Sequence, residues 1–570
     1  MLHFKYLPAA SLPKLAWCAR IARNNDEILV EHGDWVETHG NFFIEGAWDG
    51  PFSRGAIDEA RILLGSGGQV REGDVTFCTT THTKERLQSI RLRDEILISN
   101  SFAYLLNAAG DSVDINYRFY ERDFMTSLNG ITKARKFVPT AARRRVRIHY
   151  SEKITIDRNL GIRTERYGDS PDFSTFEEYV DVVNGLLASL TRNAGDAARK
   201  KVYRPLSTIS TGYDSPAATV FAKRHGCDEA LTFLDARTEY NDPEWGEVDG
   251  NDSGLEIARY LKIGIRTFRR NGYDQRSDHP EAEFIATGNG GDDVIMCNAE
   301  QCLSGTMLYT GFLGDVVWDC KSEHQEQSRD YVYKDPSGAS FNEFRLRVGF
   351  IHVPIPLLTF TRHPELHRIS HSDDMAPWRI GGTYDRPIPR RLVETAGVPR
   401  HLYAQSKKAI TQPIWLPLDF ERTMLPESYR DLSQWAERIE ARASRSTRLK
   451  KRLSPLVRDW LLPAAFRLMQ NINWYDAKQA RLTGVRLTRE FNNTIRQSAF
   501  SAVYGSLAGL KFHWAVSKMR ARYQDSRFVS VQSQAVAQPS SGAAFGTPDA
   551  AGYQLRERLD NNSPLCNKRG

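Results

Sequence analysis

The stretch Tyr203–Gly226, "YRPLSTISTGYDSPAATVFAKRHG", runs from a β-favouring apolar segment through Ser210-Thr211-Gly212-Tyr213-Asp214-Ser215 into a helix-like run. Small hydroxyl residues around a glycine, placed between a strand and a helix, turn several backbone N–H groups toward one point. That point suits an anion, most often phosphate. The loop has no lysine after its glycine and lacks G-x-x-x-x-G-K-[ST], so it is not a Walker-type phosphate loop. In the phosphate-binding reading, the hydroxyls of Ser210, Thr211 and Ser215 and the backbone near Gly212 hold a diphosphate. The Asp214 carboxylate then takes a Mg²⁺ that bridges the phosphates. Pro216 falls in the first turn of the following helix, where its missing N–H is no loss. The plainer alternative is a tight strand-to-helix turn with Asp214 near a helix N-terminus.

The surroundings of the loop set the expected fold. Leu206–Ile209 reads as a strand, Ser215–His225 as a helix, Ala230–Leu234 as a strand, and Ser253–Leu261 as a helix capped by Ser253 and Glu256. "KIGIRTF" (262–268) and "GTMLYTG" (305–311) read as further strands. Such alternation predicts an α/β domain with a parallel sheet, whose ligands collect beyond the carboxyl ends of the strands. Upstream, Phe176, Tyr179, Val180, Val183, Leu186, Leu187 and Leu190 fall at helical spacing, with Ser174 and Glu177 offering a capping box.

Residues 1–160 carry short β-like pieces such as "DVTFCTTTHT" and "DEILISNSFAYLL", and predict a β-rich domain. From about 423 to 523 the chain is helical in pattern and rich in Arg, Leu and Ala. "SVQSQAVAQPSSGAAFGTPDAAGYQ" (530–554) has no periodicity. The expected organisation is a β-rich domain at 1–165, an α/β domain at 170–420, a helical region at 421–524 and a disordered tail at 525–570.

The length of 570 residues agrees with two or three domains. With 77 basic against 70 acidic residues, the net charge of +7 describes a mixed surface, and a nucleic-acid partner is not expected. The basic clusters Arg143–Arg147 and Arg442–Arg452 read as solvated faces. The seven cysteines include no C-x-x-C pair and read as reduced thiols. The first residues lack the pattern of a secretory leader, and no run reaches the roughly 18 apolar residues of a membrane helix. The expectation is a cytoplasmic protein with no membrane span.

The opening loop resembles the pyrophosphate loop of the asparagine synthetase-like ATP pyrophosphatases, usually Ser-Gly-Gly-x-Asp-Ser. A second element of that family, Ser-Gly-Glu-Gly-x-Asp-Glu, is similar to "LYTGFLGDVVWD" (308–319), where Thr310, Gly311, Gly314 and Asp315 match. "RLRVGFIHVPI" (345–355) resembles the family's Arg-Val-Pro-Phe-Leu-Asp segment. "YDRPIPRRLVETAGVPRHLYAQSKKAI" (384–410) resembles the stretch that ends in a lysine stabilising charge during adenylation, here Lys407 with Lys408 as the adjacent alternative. Together the matches span about Phe173 to Pro413 in the family's order.

The resemblance implies a parallel sheet of the adenine nucleotide alpha-hydrolase type. It implies Asp214 and Asp315 as paired Mg²⁺ carboxylates, and ATP across residues 210–215, Phe233, Thr310 and Gly311. It further implies adenylation of a carboxylate, with loss of pyrophosphate, followed by displacement of AMP by an amine or ammonia. The acceptor would be a small molecule, saccharide or peptide.

The departures are also informative. Thr211 stands where the family has glycine, and Phe312 where asparagine synthetases carry a glutamate that handles protons of the incoming nitrogen. His352 ends the third segment. "FFIEGAWDG" (42–50) and "LISNSFAYLLNAAG" (97–110) resemble layers of the family's amidotransferase domain, yet residue 2 is Leu2 rather than the nucleophilic cysteine. Cys18 could not replace it without processing. The expectation is a degenerate amidotransferase-like domain without glutaminase activity. Another adenylating enzyme of the same class, or a non-catalytic scaffold that keeps the fold, are the competing readings. Asp292 and Asp293 in "TGNGGDDVIMCNAE" (287–300) read as a polar turn before a helix, His225 as a helix C-terminal charge, and Cys297 and Cys302 as packed thiols.

Overall fold

A computed structural model describes residues 1–236, 250–320, 328–332, 335–381, 384–405, 408, 420–440 and 507–528. It is a mixed α/β structure with one all-parallel sheet and two largely antiparallel ones.

The parallel sheet has five strands in the spatial order Gly264–Phe268, Glu229–Phe233, Arg204–Thr208, Thr306–Thr310 and Ile351–Pro354. The chain starts in the middle strand, moves outward on one side, then returns to fill the other. The order therefore reverses between Arg204–Thr208 and Thr306–Thr310, which pair in parallel with Leu206 opposite Leu308 and Ser207 opposite Tyr309. A crevice opens at such a reversal because the two crossover connections leave in opposite directions. Thr306–Thr310 is buried along its whole length, as expected of a strand covered on both faces.

Element boundaries differ from the sequence expectations by one or two residues, and contacts explain why. The helix Phe176–Ala194 is capped by Thr175 and Glu178 rather than Ser174 and Glu177: the Glu178 amide donates to Thr175 Oγ1 at 3.2 Å. The Glu178 carboxylate takes the amides of Ser174 and Thr175 together, at 2.7 and 3.3 Å, which fixes the box one residue later. The helix between the strands Glu229–Phe233 and Gly264–Phe268 is Leu255–Leu261, entered through Gly254 instead of Ser253. A Cβ at Gly254 would lie 2.8 Å from Ile209 Cγ2, so only glycine lets the chain cross there.

The first domain pairs a seven-stranded sheet with a six-stranded one. The larger sheet is antiparallel apart from the pairing of His3–Pro8 with Glu27–His32. Trp17, Ile28 and Ile98 from one sheet share a core with Phe43, Phe77 and Ile154 from the other. The helix Phe176–Ala194 lies against the strand Phe42–Trp48, burying Val183, Leu187 and Leu190. Arg143, Arg144 and Arg145 are exposed around the inward-pointing Val146.

The two domains interlock through Arg345, in the helix Asn342–Val348, which is 1 % exposed. Its Nη1 meets Glu45 Oε2 at 2.7 Å and its Nη2 meets Glu85 Oε2 at 2.8 Å. Ser101 Oγ donates to Glu343 at 2.6 Å beside them. Near the other end of the chain, the helix Ala508–Arg520 packs on Phe102–Ala108, Glu281–Ile285 and Pro426–Glu440. Tyr523 stacks on Tyr104 at 4.7 Å, and Ser526 and Phe528 are buried, so packed chain continues past position 525, where the tail was expected to begin. The basic run 442–452 and residues 529–570 lie outside the described residues. Among the described residues no helix is long and apolar enough to cross a membrane.

Candidate functional site

A cavity of about 490 Å³ lies at the strand-order reversal, lined by both loops that leave the two strands flanking it. The middle strand delivers Ser210, Gly212, Asp214 and Ser215 to its wall, and the neighbouring strand delivers Thr310, Gly311, Phe312 and Asp315. Leu231, Phe233 and Met296 supply an apolar side.

Within the first loop the roles divide. Ser210 Oγ and Ser215 Oγ are 2.8 Å apart, and the Gly212 amide donates to Ser210 Oγ at 3.2 Å, which closes the turn over the start of the helix Asp214–Lys223. Thr211 does not line the cavity. Its amide and hydroxyl both donate to Asp252 Oδ1, at 3.1 and 2.7 Å, and anchor the loop from behind. Tyr213 is fully buried, 4.8 Å from the Tyr384 ring, and forms a floor rather than a wall. Both had been expected to contact the ligand.

The second loop touches the first so closely that its glycines are obligatory. A Cβ at Gly311 would lie 2.3 Å from the Asp214 carbonyl carbon, and one at Gly314 would lie 2.6 Å from Asp214 Cγ. Leu313 adopts a left-handed φ of 66° to turn Gly314 inward, a conformation that costs a non-glycine residue about 1–2 kcal/mol. The short helix Gly314–Val317 follows, with Asp315 in its first turn.

Charge is concentrated around this contact. Arg386 Nη1 donates to Asp214 Oδ1 at 2.8 Å and to Oδ2 at 2.6 Å. Burial works against the Arg386 charge, and Asp214, with Tyr384 and Asp315, more than offsets it, so the guanidinium is held more firmly protonated than usual. Asp252 also lines the cavity. Burial pushes its carboxyl up, against the two Thr211 donors and Lys408. Lys408 lines the cavity and its ammonium donates to the Asn251 carbonyl. Lys407 lies outside the described residues.

Asp292 and Asp293 depart from the expected polar turn, being 4 % and 1 % exposed. Asp292 lines the cavity. Asp293 accepts from the Gly338 amide at 2.9 Å and from the Ser340 amide and hydroxyl at 3.1 and 2.5 Å, which pins the segment carrying the cavity residues Asp335, Pro336 and Ser337. From the first domain, the buried Lys84 donates to the Asp335 carbonyl at 3.2 Å. Burial pushes this ammonium down to about 8, against the pull of Asp335, Asp293 and Asp315.

His352 Nε2 sits 2.9 Å from Thr310 Oγ1, with the Phe312 ring edge-on at 5.8 Å. His225 is not the expected helix-end cation: it is half-buried against Asn184, and burial with Arg224 holds the imidazole below its ordinary range. It does not line this cavity. Cys297 and Cys302 are packed and buried, and burial pushes the Cys297 thiol up to about 12.

Arg386, Asp252 and Lys84 were not singled out from sequence. Arg386 meets a partner 172 positions away, and Lys84 approaches from another domain, so no local pattern marks either. The Gly290-Gly291 pair, both with positive φ, was the available signal that Asp292 and Asp293 are held in a special turn.

Among the described residues no group of three or more His, Cys, Asp or Glu side chains is arranged to hold a metal by itself. Asp214 and Asp315 on touching loops are a donor set of the kind that holds Mg²⁺ together with phosphate oxygens and water, since this ion commonly takes only one or two protein carboxylates. No protein-family model matches the sequence, and a comparison with curated proteins gives no match.

Proposed function

We propose that the chain is an ATP-dependent, AMP- and pyrophosphate-forming ligase of the asparagine synthetase-like type, which adenylates a carboxylate and converts it to an amide. The observation that carries this reading is the meeting of two strand-end loops, each with an aspartate, across the order reversal of a parallel sheet. A volume of about 490 Å³ falls in the range of small-ligand sites.

In this reading the parallel sheet is of the adenine nucleotide alpha-hydrolase type. The polyphosphate rests on Ser210, Gly212 and Ser215 at the N-terminus of the helix Asp214–Lys223, where the helix dipole favours negative charge. The base lies toward Leu231, Phe233 and Met296. Asp214 and Asp315 would hold Mg²⁺, which when bound offsets charge on the leaving pyrophosphate. By the resemblance, Lys407 offsets the charge developing during adenylation, with Lys408, which lines the cavity, as the adjacent alternative.

The acceptor carboxylate attacks the α-phosphorus and releases pyrophosphate. An amine or ammonia then displaces AMP. Phe312 leaves no carboxylate at the position where asparagine synthetases deprotonate the incoming nitrogen. His352, bonded to Thr310, packs edge-on against the Phe312 ring at 5.8 Å. The first domain acts here without glutaminase chemistry, so free ammonia or a preformed amine is the nitrogen source. The test is product analysis with Mg-ATP, ammonia and pools of carboxylates. AMP and pyrophosphate in equal amounts are expected, and formation of ADP with phosphate would contradict the reading.

A further inference from the structure

Arg386 occupies the Asp214 carboxylate from inside the cavity. Its Nη1 lies 2.8 and 2.6 Å from the two Asp214 oxygens, and both residues line the same wall. The guanidinium lies near two aromatic rings, 5.0 Å from the centre of Tyr384 and 5.8 Å from that of Tyr213. Its backbone is fixed on both sides. Asp385 Oδ2 accepts from the amides of Ile380 and Gly381 at 2.9 and 2.8 Å, and the helix Pro387–Thr395 begins immediately afterward. An arginine so anchored can shift its planar head across an aromatic shelf, keeping cation–π attraction, without moving its main chain.

The same carboxylate is the one assigned above to Mg²⁺. One carboxylate cannot fully satisfy a guanidinium and a small, geometrically demanding cation at the same time. We propose that Arg386 and the divalent cation compete for Asp214, and that the incoming nucleotide decides the competition by drawing the guanidinium onto its phosphate oxygens. This inference rests on the ATP reading. Arg386 is then a latch: it neutralises Asp214 while the cavity holds no nucleotide, disfavours metal binding alone, and becomes a phosphate donor once ATP enters. Metal and nucleotide bind as a unit because each removes an obstacle to the other, a coupling that must appear equally in both affinities.

The experiment measures Mn²⁺ binding by the loss of the free-ion electron paramagnetic resonance signal, and metal-free ATP binding by calorimetry in EDTA. Both use the full chain, as wild type and as Arg386→Gln, Arg386→Lys and Arg386→Gln/Asp214→Asn. Thermal melts confirm that each variant is folded. Arg386→Gln is expected to bind Mn²⁺ about tenfold more tightly than wild type without nucleotide, and metal-free ATP about tenfold more weakly, within the usual range of coupling between two sites. Arg386→Lys keeps a cation on Asp214 and stays near wild type for Mn²⁺, while the added Asp214→Asn abolishes the gain. Wild-type ATP binding together with unchanged Mn²⁺ affinity in Arg386→Gln would overturn the latch and leave the ATP reading standing. Failure of the wild type to bind ATP under any metal condition would overturn both.

Discussion

Arg345 and Arg386 are both deeply buried guanidiniums paired with carboxylates, but their surroundings differ. Arg345, at the seam between the domains, is enclosed by Glu45 and Glu85, and the pocket that touches Glu85 has a volume of only about 10 Å³. Around it Ser66, Asn100 and Trp17 complete a chain of donors: Ser66 Oγ and Asn100 Nδ2 reach Glu45 at 2.7 and 3.3 Å, and Trp17 Nε1 reaches Ser66 at 3.1 Å. Arg386 holds a carboxylate that faces open space, in a wall with Asp252, Asp292, Asp315 and Asp335. A closed network fixes domain orientation. An open one keeps charged groups ready for a ligand to reorganise. The first domain contributes to both, through Glu45 and Glu85 at the seam and Lys84 behind the cavity.

This contrast can be broken at the seam first. Glu45→Ala leaves Arg345 half-paired in a buried site, and should destabilise the protein by about 3–5 kcal/mol in urea denaturation. The ATP affinity of the folded fraction should be unchanged. A loss of affinity with normal stability would mean that the seam is part of the site. Gly311→Ala tests the open side: forcing the two loops apart should lower the adenylation rate about 10²-fold, the scale expected when reacting groups are displaced by an ångström. Its melting temperature should fall far less than that of Glu45→Ala.

A smaller effect concerns pH. His82, buried near Lys84 and Arg345, has its imidazole pushed down to about 3, chiefly by burial. The folded state therefore binds fewer protons than the unfolded chain between about 6.5 and 3, and stability is lost as pH falls through that window. His82→Asn should flatten the acid side of the stability profile by about one proton, or roughly 1.4 kcal/mol per pH unit. An unchanged slope would place the responsible group elsewhere. Smallest of all, Thr175→Ala removes only the helix cap and should cost about 1 kcal/mol without altering ligand binding.

Much of the parallel-sheet domain was legible because its signals are local. Strand and helix periods alternate from Leu206 to Gly311, and the small residues of both loops announce a close backbone approach. Ser210, Gly212, Asp214 and Ser215 follow from the pattern of the first loop, while Phe233, Thr310, Gly311 and Asp315 were implied by the family resemblance, and all eight line one cavity. Tyr213 and Thr211 were misread because a loop pattern does not say which side chains face inward. Tyr213 turned to the core, where aromatic neighbours were available, and Thr211 to Asp252. The long-range charges were invisible for another reason. Lys84, Asp293 and Arg386 acquire their roles only when segments distant in sequence are folded together. The Asp292-Asp293 pair looks like a solvated turn until the segment 335–340 is laid over it.

The most direct test of the central claim is ATP–pyrophosphate exchange with Mg²⁺ and carboxylate pools, in the wild type, Asp214→Asn and Asp315→Asn. The account predicts carboxylate-dependent exchange by the wild type that falls at least about 10²-fold in each variant, the scale of removing one preorganised electrostatic group. Exchange that persists undiminished in both variants would show that the two-loop contact is not the adenylation site, and would contradict the account.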